Sequence, residues 1–388
     1  MYVIGKEEAD AAREVIMSGR LFRYQGGESQ TERFEREWAA KIGAAHAVAV
    51  TSGTAALICG LVGLGIGPGD EVIVPGYTFM ATALAPLAVG AVPVIAEVDE
   101  SLTLDPADLE RRITPRTRAV IPVHMNGLPC DMEPIMDIAR RHDLRVLEDC
   151  CQADGGSYRG RRLGSIGDGG AFSFNYFKIV TCGEGGAFVT DDRAVYERAV
   201  IAHDGGCAFW DQGLVQNTAI FAGVNFRLND ILAAIMRVQA QRLDGILAAL
   251  RAEKQALREA LAGETAFTFS PVRDPKGDCG TALALLFETP EQAASFLERT
   301  ADLGAGLGSP INSGRHVYTN WEPVMNRLGA HRGDLDPYRR SQVEYSPDMC
   351  PNTLRHLART VFVPTSATRL RQELLALAEG LRQAARQA

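Results

Sequence analysis

Short apolar runs alternate with segments of helical periodicity over the first 250 residues of the chain. The runs that predict strands fall at 46–50, 71–75, 92–98, 119–124 and 144–149. The segments with helical spacing are 5–20, 31–42, 55–64, 80–88, 105–112 and 134–142. Because the connections are short, the pattern predicts an α/β fold, with a doubly wound, mostly parallel sheet and helices on both of its faces.

The pattern changes near residue 250, after a long helix predicted from 230 to about 250. The later segments with clear periodicity are strands at 267–269 and 282–287 and helices at 289–303 and 366–385. We therefore expect a large domain over 1–250 and a smaller α+β domain over 251–388. Two stretches, 203–222 and 304–350, lack regular periodicity. Irregular segments of this length usually carry function, and 304–350 is expected to be a specificity region above a site.

Composition narrows the class of protein. The chain has 388 residues, of which 46% are hydrophobic and 23% charged, so it can bury a core of full size. Its net charge of −8 argues against a nucleic-acid partner or a polybasic membrane contact. No apolar run approaches the roughly 20 residues of a membrane span. Glu7 and Glu8 stand where a signal peptide would be basic, so a cytoplasmic location is predicted.

The eight cysteines show neither CxxC nor Cys/His ligand spacing. They are expected to be reduced, half-buried thiols rather than disulfides or metal ligands. No metal site is predicted.

Polar and aromatic side chains fall at the predicted carboxyl ends of strands, where open α/β sheets bind ligands. The turn Thr51–Thr54 leads into a helix whose first amides are unpaired, and Ser52 and Thr54 add hydroxyl donors. The turn either binds an anion such as phosphate or is an ordinary N-cap. The other residues at such ends are Phe79, His124, Asp149 and Gln152.

The segment 172–186 carries the most specific chemistry. Ser173 ends an apolar run, Lys178 follows five residues later, and a glycine-rich turn comes next. A lysine between Phe and Ile is expected to be poorly solvated, which favours the neutral amine that Schiff-base chemistry requires. The alternative is a lysine whose ammonium extends into solvent from a strand end.

Pyridoxal 5'-phosphate (PLP) is a common explanation for these features. The lysine would bind its aldehyde, and a strand-end carboxylate, Asp149, would keep its pyridine nitrogen protonated. The aromatic Phe79 would cover its ring, and the helix N-terminus after Thr51 would hold its phosphate.

An ordered series of motifs resembles the DegT/DnrJ/EryC1/StrS aminotransferases, the sugar and cyclitol aminotransferases of the fold-type I PLP class. The motifs are Asp149 with Gln152, Ser173 with Lys178, Gly183–Gly186, Thr51–Leu57, Gly69–Pro75, Thr78–Phe79 and Asn225–Asn229. The resemblance is dense over 20–250 and looser afterwards. It implies a seven-stranded sheet in the large domain.

The resemblance also implies a role for each matching residue. Lys178 would be the lysine of the internal aldimine and the proton shuttle, and Asp149 would pair with the pyridinium nitrogen. Gln152 would contact the ring hydroxyl, and Phe79 would stack on the ring. The residues expected at the phosphate are Ser52, Gly53, Thr54 and Ser173.

Asn225 would reach the phosphate from a neighbouring subunit, so the resemblance implies a homodimer with shared active sites. For the acceptor, the segments 22–24, 123–127, 155–160 and 181–184 are similar to the branch that makes 8-amino-3,8-dideoxy-octulosonate. Similarity to 3-amino-5-hydroxybenzoate synthases and inosose aminotransferases is also visible. The candidate substrate contacts are Arg23, Tyr24, His124 and His316. For Arg23 and Tyr24, a plain surface position is the alternative.

The predicted function is transfer of an amino group from L-glutamate or L-glutamine to a keto-sugar or cyclitol. Relatives with histidine in place of the lysine perform dehydration, so Lys178 favours transamination. One alternative is another PLP reaction, such as the elimination that makes an aromatic amino acid. A non-catalytic PLP-binding regulator is the other, but the intact Lys178 and Asp149 and the lack of a basic patch argue against it.

Overall fold

The computed structural model describes residues 2–25, 27–206, 215 and 217–387. Its strands are β1 (His46–Val50), β2 (Glu71–Pro75), β3 (Val92–Ala96), β4 (Thr117–Val120), β5 (Arg145–Asp149), β6 (Ser157–Tyr158), β7 (Arg161–Arg162), β8 (Gly169–Ser173), β9 (Gly186–Thr190), β10 (Phe267–Phe269), β11 (Ala282–Phe287) and β12 (Thr360–Pro364). Seven of them form a central sheet in the order β1-β9-β8-β5-β4-β2-β3. Only β9 runs antiparallel to its neighbours in this sheet. The predicted mostly parallel, seven-stranded α/β sheet is confirmed.

Helices cover both faces of this sheet. The α-helices of the described residues are α1 (Lys6–Ser18), α2 (Gln30–Ile42), α3 (Gly53–Gly63), α4 (Ala81–Ala88), α5 (Pro106–Arg111), α6 (Met132–Arg141), α7 (Arg193–His203), α8 (Asp230–Ala260), α9 (Pro290–Arg299), α10 (Glu322–Met325), α11 (Pro351–Ala358) and α12 (Arg371–Ala385). In β1, Val48 and Val50 belong to the core formed with α3, α4 and α7, whereas Ala47 and Ala49 belong to the core formed with α2, α6 and α8. Alternate residues of a strand point to opposite faces, so burial of both faces explains the continuous apolar runs.

A second, antiparallel sheet of β10, β11 and β12 packs with α9 and α12. The 31-residue helix α8 connects the two units, because Met236 lies in the core under the central sheet and Leu257 in the core of the smaller one. The division expected at residue 250 therefore falls inside a continuous helix.

Part of the irregular region 304–350 packs on the central sheet. Tyr318, Trp321 and Val324 belong to the same core as β2 and α4. Val317 pairs with Tyr77, two residues after β2, so this segment crosses the carboxyl end of that strand. The packing places the segment above the region where ligand binding was expected.

The structure differs from the sequence prediction at several elements. The run predicted as a strand over 119–124 ends at Val120, because Pro122 has no N–H for the ladder. The hairpin of β6 and β7, helix α11 and strand β12 were not predicted. Of the irregular segment expected at 203–222, residues 207–214 and 216 lie outside the described residues.

No helix in the described ranges combines the length and the apolar character needed to cross a bilayer. The cytoplasmic location stays a prediction.

A buried ion pair fastens the N-terminal region to the sheet. The two terminal nitrogens of Arg23 donate to the two carboxylate oxygens of Glu35 at 2.7 and 2.6 Å, and Glu35 Oε1 also accepts from Ala49 N at 2.7 Å. The Arg23 side chain is only 1% exposed. The structure therefore places this predicted substrate contact inside the protein, where its charge is used to join α2 to β1.

We expect Arg23→Ala to lower the free energy of unfolding by about 3 kcal/mol, because Glu35 would be left as an unpaired buried charge. Equilibrium denaturation by urea measures this loss. Arg36→Ala is the matched control, since Arg36 is 62% exposed and pairs with Glu28 at the surface, and its loss should stay below about 1 kcal/mol. Similar small losses for both variants would contradict the structural role of Arg23.

Candidate active site

Asp149 lies at the carboxyl end of β5 and is held by two hydrogen bonds. Its Oδ1 accepts from Cys151 N at 3.0 Å, and its Oδ2 accepts from the Thr82 hydroxyl at 2.7 Å. The residue is 4% exposed. Because both oxygens are engaged, the carboxylate has a fixed orientation at the edge of the sheet.

The turn after β1 supplies the start of helix α3. Ser52 is its N-cap and accepts from Ala55 N at 3.1 Å, so the capping alternative for this residue is realised. Gly53 follows in close contact with two other elements, since a Cβ at this position would lie 2.7 Å from both Cys151 Sγ and Ser173 Cβ. Only glycine allows the helix start to approach the ends of β5 and β8 this closely.

Lys178 lies in the turn that follows β8. Its backbone N–H donates to Asn175 O at 3.0 Å, and the Asn175 side chain accepts from Phe177 N at 3.0 Å. Ile179 is buried, as expected for a poorly solvated lysine, but Phe177 is 74% exposed. Within one chain, therefore, only Ile179 is placed to shield Lys178 from water, and Phe177 is not.

The chain has five lysines, and Lys178 differs from the other four in its surroundings. Lys6, Lys41 and Lys254 each pair with an aspartate, and Lys276 is exposed. Within the described ranges, no carboxylate lies at ion-pair distance from the Lys178 amine. It is also the one lysine among the residues that line the cavity described next.

A cavity of about 130 Å³ brings most of the predicted cofactor contacts together. Its lining includes Ser52, Gly53, Thr54, Phe79, Asp149, Gln152, Ser173 and Lys178. These residues come from the carboxyl ends of β1, β2, β5 and β8, so the parallel strand order brings them to one edge of the sheet. The cavity is also lined by residues that were not predicted as site residues: Leu57, Thr78, Ala81, Thr82, Val123, Cys151, Asn175 and Glu184.

A larger cavity of about 500 Å³, called the outer cavity below, shares Phe79, Gln152, Asn175 and Lys178 with the first. His316 lies in its wall with its ring centroid 5.5 Å from that of Phe79. The segment that carries His316 is held against the end of β2, since Thr78 N donates to His316 O at 2.9 Å. Burial lowers the pKa of His316, so its ring is neutral at pH 7.

His124 is not brought into this set. It is fully buried, and its Nδ1 accepts from Cys130 N at 3.1 Å while Nε2 lies 3.1 Å from Glu148 Oε2. A ring nitrogen that accepts a backbone N–H carries no proton, so the ring is the neutral tautomer that donates to Glu148. Glu148 also accepts backbone N–H groups of residues 164, 166 and 167. His124 therefore supports the protein interior behind β5, which its position at a strand end did not reveal.

Tyr24 and Asn225 also lie outside the lining of the two cavities. Tyr24 is largely buried, and its ring packs edge-to-face on Phe22. Asn225 pairs with Asp204 in an isolated bridge, and its side chain accepts from Arg227 N at 3.2 Å. A contact of Asn225 with a cavity of a second subunit stays a prediction.

The sequence profile of the DegT/DnrJ/EryC1/StrS aminotransferase family matches residues 3–374. The chain belongs to this family. Spore coat polysaccharide biosynthesis protein SpsC of Bacillus subtilis (strain 168) is 36% identical over 376 residues, which cover 93% of this chain and 90% of SpsC. The L-glutamine:2-deoxy-scyllo-inosose aminotransferase of Streptoalloteichus tenebrarius is 36% identical over 85% of this chain and 82% of its own length.

Among solved structures, 3-amino-5-hydroxybenzoic acid synthase superposes with a TM-score of 0.81 at 30% identity, over 100% of this chain and 98% of that chain. The predicted family, the fold-type I architecture and the aminotransferase class are thereby confirmed. Members of the family are PLP-dependent sugar and cyclitol aminotransferases.

We expect Gly53→Ala to weaken PLP binding at least about tenfold, because the added methyl group would collide with Cys151 and Ser173. Gly245→Ala is the matched control: it is also a glycine in a helix, and a Cβ there has open space around it. Titration of the apoprotein with PLP, followed by absorbance, measures both. Unchanged PLP affinity in Gly53→Ala would show that the cofactor lies elsewhere.

Proposed function

We propose that this protein transfers an amino group from L-glutamine or L-glutamate to a keto-sugar or cyclitol ketone, with PLP as its cofactor. The observation that carries the proposal is Lys178, whose amine has no counter-ion among the described residues and lines a cavity together with Asp149.

The residues present fit the cofactor. The first residues of α3 line the cavity, because Gly53 allows them to lie close to Ser173. Their backbone amides and the Ser173 hydroxyl are hydrogen-bond donors of the kind that a phosphate binds. Asp149 offers the fixed carboxylate for the ring nitrogen, and Phe79 offers an aromatic face. When bound, PLP supplies an electron sink that stabilises negative charge on the substrate carbon.

Gln152 faces the cofactor space with its amide nitrogen. Its Oε1 accepts from Asn126 N at 3.1 Å, and because a backbone N–H requires an acceptor, the NH₂ group must point the other way. Asn126 has a left-handed backbone (φ 52°, ψ 31°), a conformation that asparagine tolerates better than most residues. In the proposed site Gln152 therefore donates a hydrogen bond, which suits the ring oxygen of the cofactor.

Lys178 moves the proton in the proposed reaction. An amine without a neighbouring carboxylate is free to take a proton from the donor carbon and return it on the other side of the amino transfer. Lys178 also faces the outer cavity, so the same group can serve the donor and the acceptor in turn. This is the arrangement that a two-step, ping-pong transfer requires.

The outer cavity favours an uncharged, hydroxylated acceptor ring next to Lys178. In the described part of its lining, the polar groups besides Lys178 are neutral: Asn126, Gln152, Asn175, Thr281 and His316. Neutral amides and hydroxyls suit the hydroxyl groups of a sugar or cyclitol ring. The similarity to the glutamine-dependent inosose aminotransferase supports glutamine as donor and a cyclitol or keto-sugar as acceptor.

The site would be completed by a second subunit. Asn225 lies outside the cavities of its own chain, and its motif is the basis for proposing a contact with the partner's phosphate site. The strongly exposed Tyr176 and Phe177 next to Lys178 agree with an interface at this point. We propose a homodimer with shared active sites.

A second candidate is an elimination that produces an aromatic amino acid, which the similarity to 3-amino-5-hydroxybenzoic acid synthase favours. The two reactions differ in the mass of the product. Transamination keeps the carbon skeleton of the acceptor and replaces a carbonyl oxygen with an amino group, whereas elimination shows as a loss of water.

Addition of L-glutamine or L-glutamate to the PLP-loaded protein is expected to bleach the visible cofactor band as the amino group is transferred. Lys178→Ala should abolish this donor half-reaction, a loss of at least about a thousandfold in rate, because no other lysine lines the described cavity. Stopped-flow absorbance measures the rate. The control Lys6→Ala removes an 84% exposed lysine and should react normally. Full donor turnover in Lys178→Ala would refute the proposal.

A further inference from the structure

Two buried threonine hydroxyls form a chain that ends at Asp149. The Thr78 and Thr82 hydroxyl oxygens lie 2.8 Å apart, and Thr82 Oγ1 lies 2.7 Å from Asp149 Oδ2. Both threonines are 1% exposed. Thr82 lies in the first turn of α4 and Thr78 precedes that helix. Thr82 N donates to Phe79 O at 3.0 Å, so the turn at the start of the helix brings the two hydroxyls together.

The direction of this chain follows from the chemistry of its members. An ionised carboxylate only accepts, so the Thr82 proton points to Asp149. The Thr82 oxygen is then the acceptor for the Thr78 hydroxyl, because the competing acceptor, Phe79 O, is 3.5 Å away and beyond the usual O–H···O distance. Each hydroxyl therefore polarises the next one toward Asp149.

The two hydroxyls restrict the orientation of the Asp149 carboxylate. Asp149 Oδ1 is held by Cys151 N at 3.0 Å and Oδ2 by Thr82, so the group cannot rotate without losing a buried hydrogen bond. Thr82 and Asp149 both line the cavity that holds Lys178. The remaining lone pairs of the carboxylate are thus directed by Thr82 into the space where the cofactor ring would lie.

We propose that Thr82 is a positioning residue that orients Asp149 toward the pyridine nitrogen and stabilises its charged form, with Thr78 as the second member of the chain. This inference rests on the proposed function. The hydroxyl chain is also linked to the wall of the outer cavity, because Thr78 N donates to the carbonyl of His316, whose ring lines that cavity. It joins the wall of the substrate cavity to the group that holds the cofactor ring.

Three variants separate positioning from simple packing. Thr82→Val keeps the shape and removes the hydroxyl, whereas Thr82→Ser keeps the hydroxyl. Thr353→Val is the matched control, because it removes a buried hydroxyl that donates to Glu97 at 2.6 Å and accepts from Val98 N, outside the lining of both cavities. Each protein is examined for PLP affinity, for the pH titration of the cofactor band and for the rate of the donor half-reaction.

In Thr82→Val we expect PLP affinity and the donor half-reaction to fall about tenfold each, the usual scale for a lost hydrogen bond to a charged group. The pH midpoint of the cofactor band should move upward, because a less firmly held ring proton leaves less positive charge beside the chromophore. Thr82→Ser should restore all three properties. Thr78→Val should show the same changes at a smaller size, about threefold.

The control variant separates a loss of stability from a change at the cofactor. Thr353→Val should lose stability while the pH midpoint of the cofactor band stays in place. An unchanged midpoint and normal kinetics in Thr82→Val, or a failure of Thr82→Ser to restore them, would overturn the positioning role. The absence of any PLP band in the unaltered protein would overturn the proposed function and, with it, this inference.

Discussion

The pairing of β5 with β8 is the constraint on which the site depends. Asp149 lies opposite Ala171 in this parallel pair, and Ala171 is two residues before Ser173. The strand that carries the carboxylate therefore runs beside the strand that leads to Lys178. Close contacts then bring in the third element, since Gly53 lies against Ser173 and a Cβ at Gly186 would stand 2.4 Å from Ser52 O. Glycines at these two positions let three strand ends share one small space, which a larger residue at either position would disrupt.

Two neighbouring carboxylates show how one strand serves both stability and chemistry. Glu148 and Asp149 are both buried, but successive side chains of a strand point to opposite faces. Glu148 accepts hydrogen bonds from His124 and from three backbone amides of the loop at 164–167, so it is satisfied within the protein interior. The Asp149 carboxylate accepts one hydrogen bond on each oxygen, from Cys151 N and from the Thr82 hydroxyl, and keeps lone pairs for a ligand. This difference in remaining hydrogen-bonding capacity supports the role proposed for Asp149.

The large sheet could be predicted from the sequence, and most of the predicted cofactor contacts line one small cavity. β1 and β2 have the predicted bounds, because strands buried on both faces are continuous apolar runs. Position in the sequence did not reveal which polar side chains are buried. Arg23 and His124 were predicted as substrate contacts, but Arg23 is paired with Glu35, and His124 is hydrogen-bonded to Glu148 and to Cys130 N. Nothing in the sequence marks these partners. The Thr82 contact was missed for the same reason, although its spacing from Thr78 and its place after Phe79 are visible signals.

Lys178 is the residue that we propose binds PLP covalently. Borohydride reduction of the PLP-loaded protein would make a bond between a lysine amine and the cofactor aldehyde permanent, and peptide mass mapping would then locate it. Because the chain has only five lysines, the assignment is unambiguous. We expect one PLP adduct per chain, on the peptide that contains Lys178. An adduct on Lys6, Lys41, Lys254 or Lys276 instead, or none at all, would contradict the account.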